Sequence, residues 1–484
     1  MQTLNTYYRK VQRQAVLLLV FLLLTATAHA EKREVHILST NDMHAALEAM
    51  PQLAAIADSL RTLYPNLLVF SAGDNRTGNP LCDQYEIPAY PIVALMNQIG
   101  FNGSALGNHE FDANSLPRLI GLSNFRYICA NIHTSPESGI SCVPYQVFDV
   151  EGLKVGVIGS IELSSRGIPD THPNNLHGVS FTQPMEAVAQ YEWLSRECNA
   201  TILLSHTGYE ADVEMAKAFS WLDLIIGGHT HKQLKGNEVV NGILITQNRH
   251  KLHRATHITL TVDSGRVVGK QAEYIDVKQF PKKNELVEEV VHYFSDNPAF
   301  RRVLAQAEAP FDNDQELAIM VCDAYKDRFN ADIAIENHGG VRIEHFPAGD
   351  IRVLDVLAME PFNNNAVELT LTGEELHQLL QSYSRGSIWH FPYMSGLVCE
   401  LTPDPADPQK LKSFRMLKLN GTKFDMKRTY RVITNSYVAS VSKTLREEQK
   451  HDTNVQTSDI IMRYLETQGK VNYQGRRCLL IKNK

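Results

Sequence analysis

The sequence predicts an α/β protein of two domains, and three observations carry that expectation. Between residues 34 and 277, short β-type apolar runs alternate with helical patterns, as in a mostly parallel or mixed sheet with covered faces. Five of those runs end in histidine, aspartate or asparagine, which suits a ligand crevice beyond the carboxyl ends of strands. A charged stretch holding Pro281 and Pro298 then separates this region from a second mixed α/β pattern. At 484 residues the chain is long for a single core, in agreement with that division. The expected plan is a targeting segment over 1–30, a first domain over 31–277, a linker with a helix over 278–309, and a second domain over 310–484.

The targeting segment opens with basic Arg9, Lys10 and Arg13, continues through an apolar run over 15–24, and closes on Ala28-His29-Ala30, a small-x-small cleavage pattern. The run is short for a membrane span, so export is expected, with no stable membrane insertion once the signal is removed. The first strand, 34–40, leads into Asn41-Asp42-Met43-His44. A helix over 53–63 follows, and the strand 66–71 leads into Ala72-Gly73-Asp74-Asn75. A helix over 92–99 precedes the short strand 102–106 and the polar turn Gly107-Asn108-His109-Glu110-Phe111-Asp112. A strand over 154–159 ends near Glu162, and a helix is expected over 185–198. The strands 200–204 and 222–226 lead into Ser205-His206 and Gly227-Gly228-His229-Thr230-His231. Strands at 243–247 and 257–262, with a turn at Asp263-Ser264-Gly265, are expected to complete a second sheet of the same domain. A helical pattern near 286–294 lies in the linker. The second half reads as a helix over 316–329, a strand over 332–336, and the turn Asn337-His338-Gly339-Gly340-Val341-Arg342. It continues as a strand over 366–371, a helix from Thr372-Gly373 to 383, a strand over 430–434 and a helix over 458–467.

The net charge of −7 argues against a nucleic-acid polymer as partner, since that needs a basic stripe. Small anionic phosphates stay accessible to an acidic protein when metal ions supply the positive charge. Seven cysteines fit no CxxC zinc spacing. Export permits disulfides, and Cys129 with Cys142 is the pair nearest in sequence, but buried reduced thiols fit as well. The oligomeric state is left open.

If the strands lie side by side, Asp42, His44, Asp74, Asn108, His109, His206, His229 and His231 converge on one crevice. Carboxylates, imidazoles and an asparagine carbonyl without thiolates suit Zn, Mn, Fe, Co or Ni. The donors are too many for one tetrahedral ion, and two divalent ions sharing a carboxylate make sensible use of them. Such pairs clamp the attacking and leaving oxygens of a displacement at phosphorus and lower the pKa of a bound water.

In order, Asp42-x-His44, Gly73-Asp74, Gly107-Asn108-His109-Glu110, His206 and Gly227-Gly228-His229-x-His231 resemble the five blocks of the calcineurin-like metallophosphoesterase superfamily. The extension through Phe111-Asp112, with Gly339-Gly340-Val341-Arg342 and Pro361-Phe362-x-Asn364, resembles the secreted 5'-nucleotidase family over residues 34 to about 440. The resemblance implies a four-layer α/β/β/α metallophosphatase domain and a 5'-nucleotidase C-terminal-type domain that sets substrate specificity. It implies a periplasmic or secreted enzyme that hydrolyses small phosphoesters, nucleoside 5'-monophosphates foremost, with two divalent metals. A 2',3'-cyclic phosphodiesterase/3'-nucleotidase and a UDP-sugar hydrolase are alternatives within the family, and a nucleotide-binding protein on the same scaffold is the non-enzymatic one. Carried over by position, Asp42, His44, Asp74 and His231 hold one metal, while Asp74, Asn108, His206 and His229 hold the other. His109 stabilises phosphoryl charge or protonates the leaving group, oriented by Asp112. Arg342 contacts the phosphate, Asn364 is a further substrate contact, and Phe391 supplies one face for the base, with Trp389 and Tyr393 able to substitute.

Two departures from the family pattern bear on this. Ala45 stands where the family has glycine, so the bend must avoid positive φ or carry its strain. After Val432-Ile433-Thr434-Asn435 the chain reads Ser436-Tyr437-Val438 in place of a Gly-Gly-Asp-Gly-aromatic loop, leaving the second stacking ring incomplete or built from Tyr437. The sequon Asn75-Arg76-Thr77 is discounted, because a glycan beside Asp74 would block the site.

Overall fold

The computed structural model describes residues 32–296, 298–362, 364–418 and 423–482. The expected signal segment lies outside the described residues. Among those described, no helix is long and apolar enough to cross a membrane.

The first strand, Arg33–Thr40, is buried from Val35 onward on both faces, so its sequence shows little alternation. It pairs in parallel with Leu68–Ser71 and antiparallel with Arg254–Asp263. The sheet they build runs in the order 266–276, 254–263, 33–40, 68–71, 103–105, 126–128. A second six-stranded sheet runs in the order 238–240, 243–246, 224–227, 200–206, 153–161, 145–150. The two sheets meet face to face: Val35, Ile37 and Phe70 of the first pack with Val155, Ile202 and Leu204 of the second. The helices Met50–Leu63 and Tyr90–Ile99 cover the outside of the first sheet, and Tyr209–Ala218 covers the outside of the second. This is the α/β/β/α arrangement that the resemblance implied.

Two expectations are corrected. The strands near 243 and 257 do not complete one sheet together. Ile243–Thr246 joins the second and Arg254–Asp263 the first, so the chain crosses between sheets over 247–253. The helix expected over 185–198 is broken into Pro184–Ala189 and Leu194–Glu197, because Tyr191 and Trp193 at the break turn onto Tyr145, with ring centroids at 5.5 and 5.4 Å. The turn at Asp263 is a two-residue hairpin loop with Ser264 at φ 50° and Gly265 at φ 81°, the conformation that matches strand twist.

The helix Glu285–Ser295 starts at Asn284, whose side chain accepts from the Val287 N–H. It buries Val287 and Val291 against the helices of the first domain. The second domain is built on a sheet ordered 393–395, 333–336, 429–435, 365–372, 450–456. The long helix Asp314–Phe329 packs into its core, and Gly373–Ser384 opens with a capping box between Thr372 and Glu375. All seven cysteines are free, and six are buried.

Candidate active site

The site is made of interlocked turns at strand ends. The turn after the first strand is hydrogen-bonded to the next one: Asp42 N–H donates to Gly73 O at 2.9 Å, His44 N–H to Asp74 O at 3.0 Å, and Ala45 N–H to Asn75 O at 2.8 Å. The third turn braces the second through Glu110, whose carboxylate accepts from the N–H groups of Asp74, Asn75 and Gly107 at 2.9, 2.8 and 2.6 Å. Gly73 has φ 90°, and a Cβ there would stand 2.8 Å from Gly107 N and 2.9 Å from His206 Nδ1, so no other residue fits this approach of two sheets. Asp42, Asp74 and Asn108 therefore come from the first sheet, and His206 and His229 from the second. The crevice lies between facing sheets rather than along one.

The donors converge. His44 Nδ1 donates to Thr77 O at 2.9 Å, which leaves its Nε2 lone pair facing His231 Nε2 at 3.1 Å. His206 Nδ1 donates to Ala72 O at 2.7 Å, and its Nε2 is buried without a hydrogen-bond partner, 3.1 Å from Asp74 Oδ2. His231 Nε2 lies 3.4 Å from Asp42 Oδ1, and His229 Nδ1 lies 3.2 Å from Asn108 Oδ1. Donor atoms of Asp42, His44 and His231 fall within 4.8 Å of one another, as do those of Asp42, Asp74 and His206. Burial holds His44 neutral, well below the usual histidine range, and pushes His229 down to about 4, so both offer lone pairs rather than protons. Two imidazole nitrogens aimed at each other, and a fully buried His206 Nε2 whose near neighbour is the Asp74 carboxylate, fit divalent cations, as does the O/N donor set.

His109 stands beside these donors. Its Nδ1 bonds Asp112 Oδ2 at 2.6 Å, and its Nε2 is 4.0 Å from Asp74 Oδ2. Its donor atoms also fall within 4.8 Å of His44 and Asp74, although Asp112 already takes one ring nitrogen. Burial acts to lower the His109 pKa, but Asp112 and Asp74 outweigh it and the net shift is upward. A cavity of about 570 Å³ opens from here between the two domains. Asn108, His109, Asp112 and Asp170 line one wall; Arg342, Phe362, Asn364, Tyr383, Arg385 and Tyr437 line the other. The Phe362 ring lies 6.2 Å from that of His109, and the Arg342 guanidinium sits 5.7 Å over the Phe362 ring.

Comparison with known proteins identifies two domains in order: the Calcineurin-like phosphoesterase family model matches residues 35–233, and the 5'-nucleotidase, C-terminal domain model matches 294–444. The chain is 27% identical to a 5'-nucleotidase of Vibrio cholerae, over 72% of this chain and 77% of that one. It is 25% identical to Endonuclease YhcR of Bacillus subtilis over 86% of its own length, but it spans only 38% of that relative. The fold is that of the crystal structure of a 5'-nucleotidase precursor from Thermus thermophilus, with a TM-score of 0.81 and 24% identity, covering 93% of this chain and all of that one.

Against the 5'-nucleotidase pattern, the second domain needs one correction. Phe391, expected as a stacking face, is fully buried and packs edge-on against Phe414 at 4.9 Å. It does not line the cavity, because the core takes the one aromatic ring of its segment that carries no polar group. Trp389 is 67% exposed and meets His338 at 4.2 Å, while the Tyr393 hydroxyl is bound to Asp314 at 2.8 Å. Asn364 reaches the cavity wall, but its Oδ1 accepts from Ser436 Oγ and Tyr437 N–H at 3.0 and 3.2 Å and its Nδ2 donates to Glu360. Asn75 is buried and bonded to Ser71, Ser104 and Glu110, so the sequon is closed to a glycan. Sequence reasoning gave no role to Glu110, Arg76 or Asp170. Glu110 carried a signal, an acidic residue three positions after the glycine that opens a helical turn. Buried Arg76, which donates to Ser115 Oγ and helps hold Asp112 ionised, carried none.

Proposed function

We propose that this chain is an exported di-metal phosphohydrolase that converts nucleoside 5'-monophosphates to nucleoside and phosphate. The observation that carries this reading is the convergence of Asp42, His44 and His231, and of Asp74, His206, His229 and Asn108, beside the His109–Asp112 pair at the mouth of an interdomain cavity. Export is supported by the apolar run over 15–24 followed by Ala28-His29-Ala30.

These seven residues would hold two divalent ions, which would supply Lewis acidity toward a phosphoryl group when bound. Everything else is the chain's own work. Asp112 accepts from His109 Nδ1 and fixes the ring so that Nε2 carries the proton offered to the leaving oxygen. The Arg342 guanidinium presents a planar fork to the phosphate. With Phe391 withdrawn, the faces left for a base or sugar are Phe362, Tyr383 and Tyr437, a more polar set than a pair of phenyl rings. That polarity keeps 2',3'-cyclic nucleotides and UDP-sugars as the second reading. The test is phosphate release from a panel of AMP, 3'-AMP, 2',3'-cyclic AMP, UDP-glucose and bis-nitrophenyl phosphate, with Mn or Zn and after chelation. AMP should lead, and chelation should abolish turnover. Active protein that contains no transition metal by elemental analysis would overturn the reading.

A further inference from the structure

One loop of the first domain, 162–172, touches both halves of the candidate machinery. The Asp170 carbonyl accepts from Asn108 Nδ2 at 3.3 Å, so Asn108 Oδ1 faces the other way, toward His229 Nδ1 at 3.2 Å. The next residue, Thr171, donates its hydroxyl to Asp112 Oδ1 at 3.1 Å, while Asp112 Oδ2 takes His109 Nδ1. Two consecutive residues thus set the amide of one metal donor and the carboxylate that orients the proton donor. The loop is rooted in the same centre: Glu162 N–H donates to His206 O at 2.9 Å, and Glu162 Oε1 accepts from Asp170 N–H at 2.5 Å.

The loop's outward contact is with the second domain. The Tyr437 hydroxyl donates to Asp170 Oδ1 at 2.7 Å, and Arg385 lies 4.0 Å from the same oxygen. Arg166, from the loop itself, is 3.6 Å from it. Tyr437 is rigidly placed, on the short helix Ser436–Val441 capped by the Asn435 side chain, with its own N–H held by Asn364. It stands where the family pattern has an aromatic loop, yet its hydroxyl is committed to the opposite domain.

We propose that Tyr437 is a positioning residue. By binding Asp170 it couples the seating of the second domain to the orientation of Asn108 and of the His109–Asp112 pair, so that metal donor and proton donor are oriented together. This rests on the di-metal hydrolase reading above, and it differs from a stacking role, which would need only the ring.

The variant Tyr437→Phe keeps the ring and removes the hydroxyl. In the full-length protein kcat should fall about tenfold with KM within about twofold of wild type, the pattern for loss of a charge-assisted hydrogen bond that serves the chemical step. Affinity for the more weakly held Mn²⁺, measured by competition with a fluorescent chelator, should fall about tenfold with it. Asp170→Ala should reproduce both losses, Asp170→Asn, which keeps an acceptor oxygen, should recover most of them, and the double variant should be no worse than either single one. Tyr437→Phe with wild-type kcat and metal affinity, a loss confined to KM, or additive losses in the double variant would overturn the proposal. Should wild-type protein hydrolyse nothing in the panel, the hydrolase reading falls, while the comparison of metal affinities still decides the coupling.

Discussion

Adding one methyl group at Gly107 tests how tightly the candidate centre is built. Gly107 has φ −103° and ψ 177°, extended backbone that alanine adopts freely, so any effect is one of contact. A Cβ there would stand 2.2 Å from Asp74 Oδ1 and 2.6 Å from Asp74 N, where real Cβ contacts stop near 3.0 Å. The carboxylate must therefore retreat by roughly 0.8 Å, and a shift of about that size in a reacting centre costs about a hundredfold in rate. Asp74 has little freedom to give way. Its N–H and that of Asn75 are held by Glu110 at 2.9 and 2.8 Å, and its Oδ1 accepts from His109 N–H at 2.9 Å. Gly107→Ala should lose about a hundredfold in kcat and bind less metal per chain by elemental analysis, with a native far-UV circular dichroism spectrum. Gly121, in the helix Leu116–Leu122, is the control: a Cβ there meets nothing within 4 Å. Gly121→Ala should leave kcat unchanged and add about 0.5 kcal/mol of stability. Wild-type turnover and metal content in Gly107→Ala would show that Asp74 is not at the reacting centre.

Glu110→Ala removes the acceptor for three buried backbone amides and should cost at least about 3 kcal/mol in urea unfolding; a loss under about 1 kcal/mol would mean that water replaces the carboxylate. His109→Ala should keep its metals but lose roughly a hundredfold or more in turnover, and full activity would remove His109 from the reaction. In the second domain, burial and then Glu360 push Glu336 up to about 8, and burial pushes Glu360 up to about 7. Both folded values lie above the ordinary 4.5, so the folded state keeps protons that the unfolded chain releases. That contribution is fully present below about pH 4.5 and is lost as pH rises through about 7 to 8. Urea unfolding should weaken between pH 5 and pH 8 by these groups' share, and Glu360→Gln should flatten the trend; an unchanged slope would place the titration elsewhere.

The metal-capable turns were legible because polar residues at the ends of fully apolar strands have no core reading. Ala200–His206 is buried along its whole length, and a histidine closing such a run needs a partner. The same burial hid the architecture. Strands covered on both faces lose their alternation, so nothing in the runs at 33–40 or 200–206 says which strand lies beside which, or that two sheets face each other. Phe391 failed for a related reason. The stretch from Trp389 to Tyr393 carries three aromatic rings within five residues, and only the fold determines that Phe391 is interior while Trp389 is exposed. The break at 190–193 was invisible because Val188, Tyr191 and Leu194 continue a helical period across it. Asp170 sits in a loop between Pro169 and Thr171 with no pattern at all, and its importance comes wholly from what meets it in space.

Five candidate ligands share one backbone property. Asp42, His44, Asp74, His229 and His231 have φ of 48°, 45°, 52°, 73° and 53°, a region that costs a non-glycine residue about 1–2 kcal/mol. Strain of this kind persists only where the surroundings over-determine it, here through the hydrogen bonds that tie each turn to the next. Ala45, next to His44, is the informative comparison, because it holds no ligand atom yet sits at φ 52° where the family pattern has glycine. Its methyl is fully buried in the core beneath the turn. Replacing it by glycine would relieve about 1–2 kcal/mol of backbone strain. Against that stand about 0.8 kcal/mol for the lost buried methyl and about 0.4–1 kcal/mol for the greater freedom of glycine in the unfolded chain. The opposing effects nearly cancel, which accounts for alanine being tolerated at this bend. Ala45→Gly should therefore change unfolding free energy, measured in chelator, by less than about 1 kcal/mol, with metal affinity unaltered. A loss beyond about 2 kcal/mol, or a weakened metal site, would mean that the methyl group itself holds Asp42 and His44 in place.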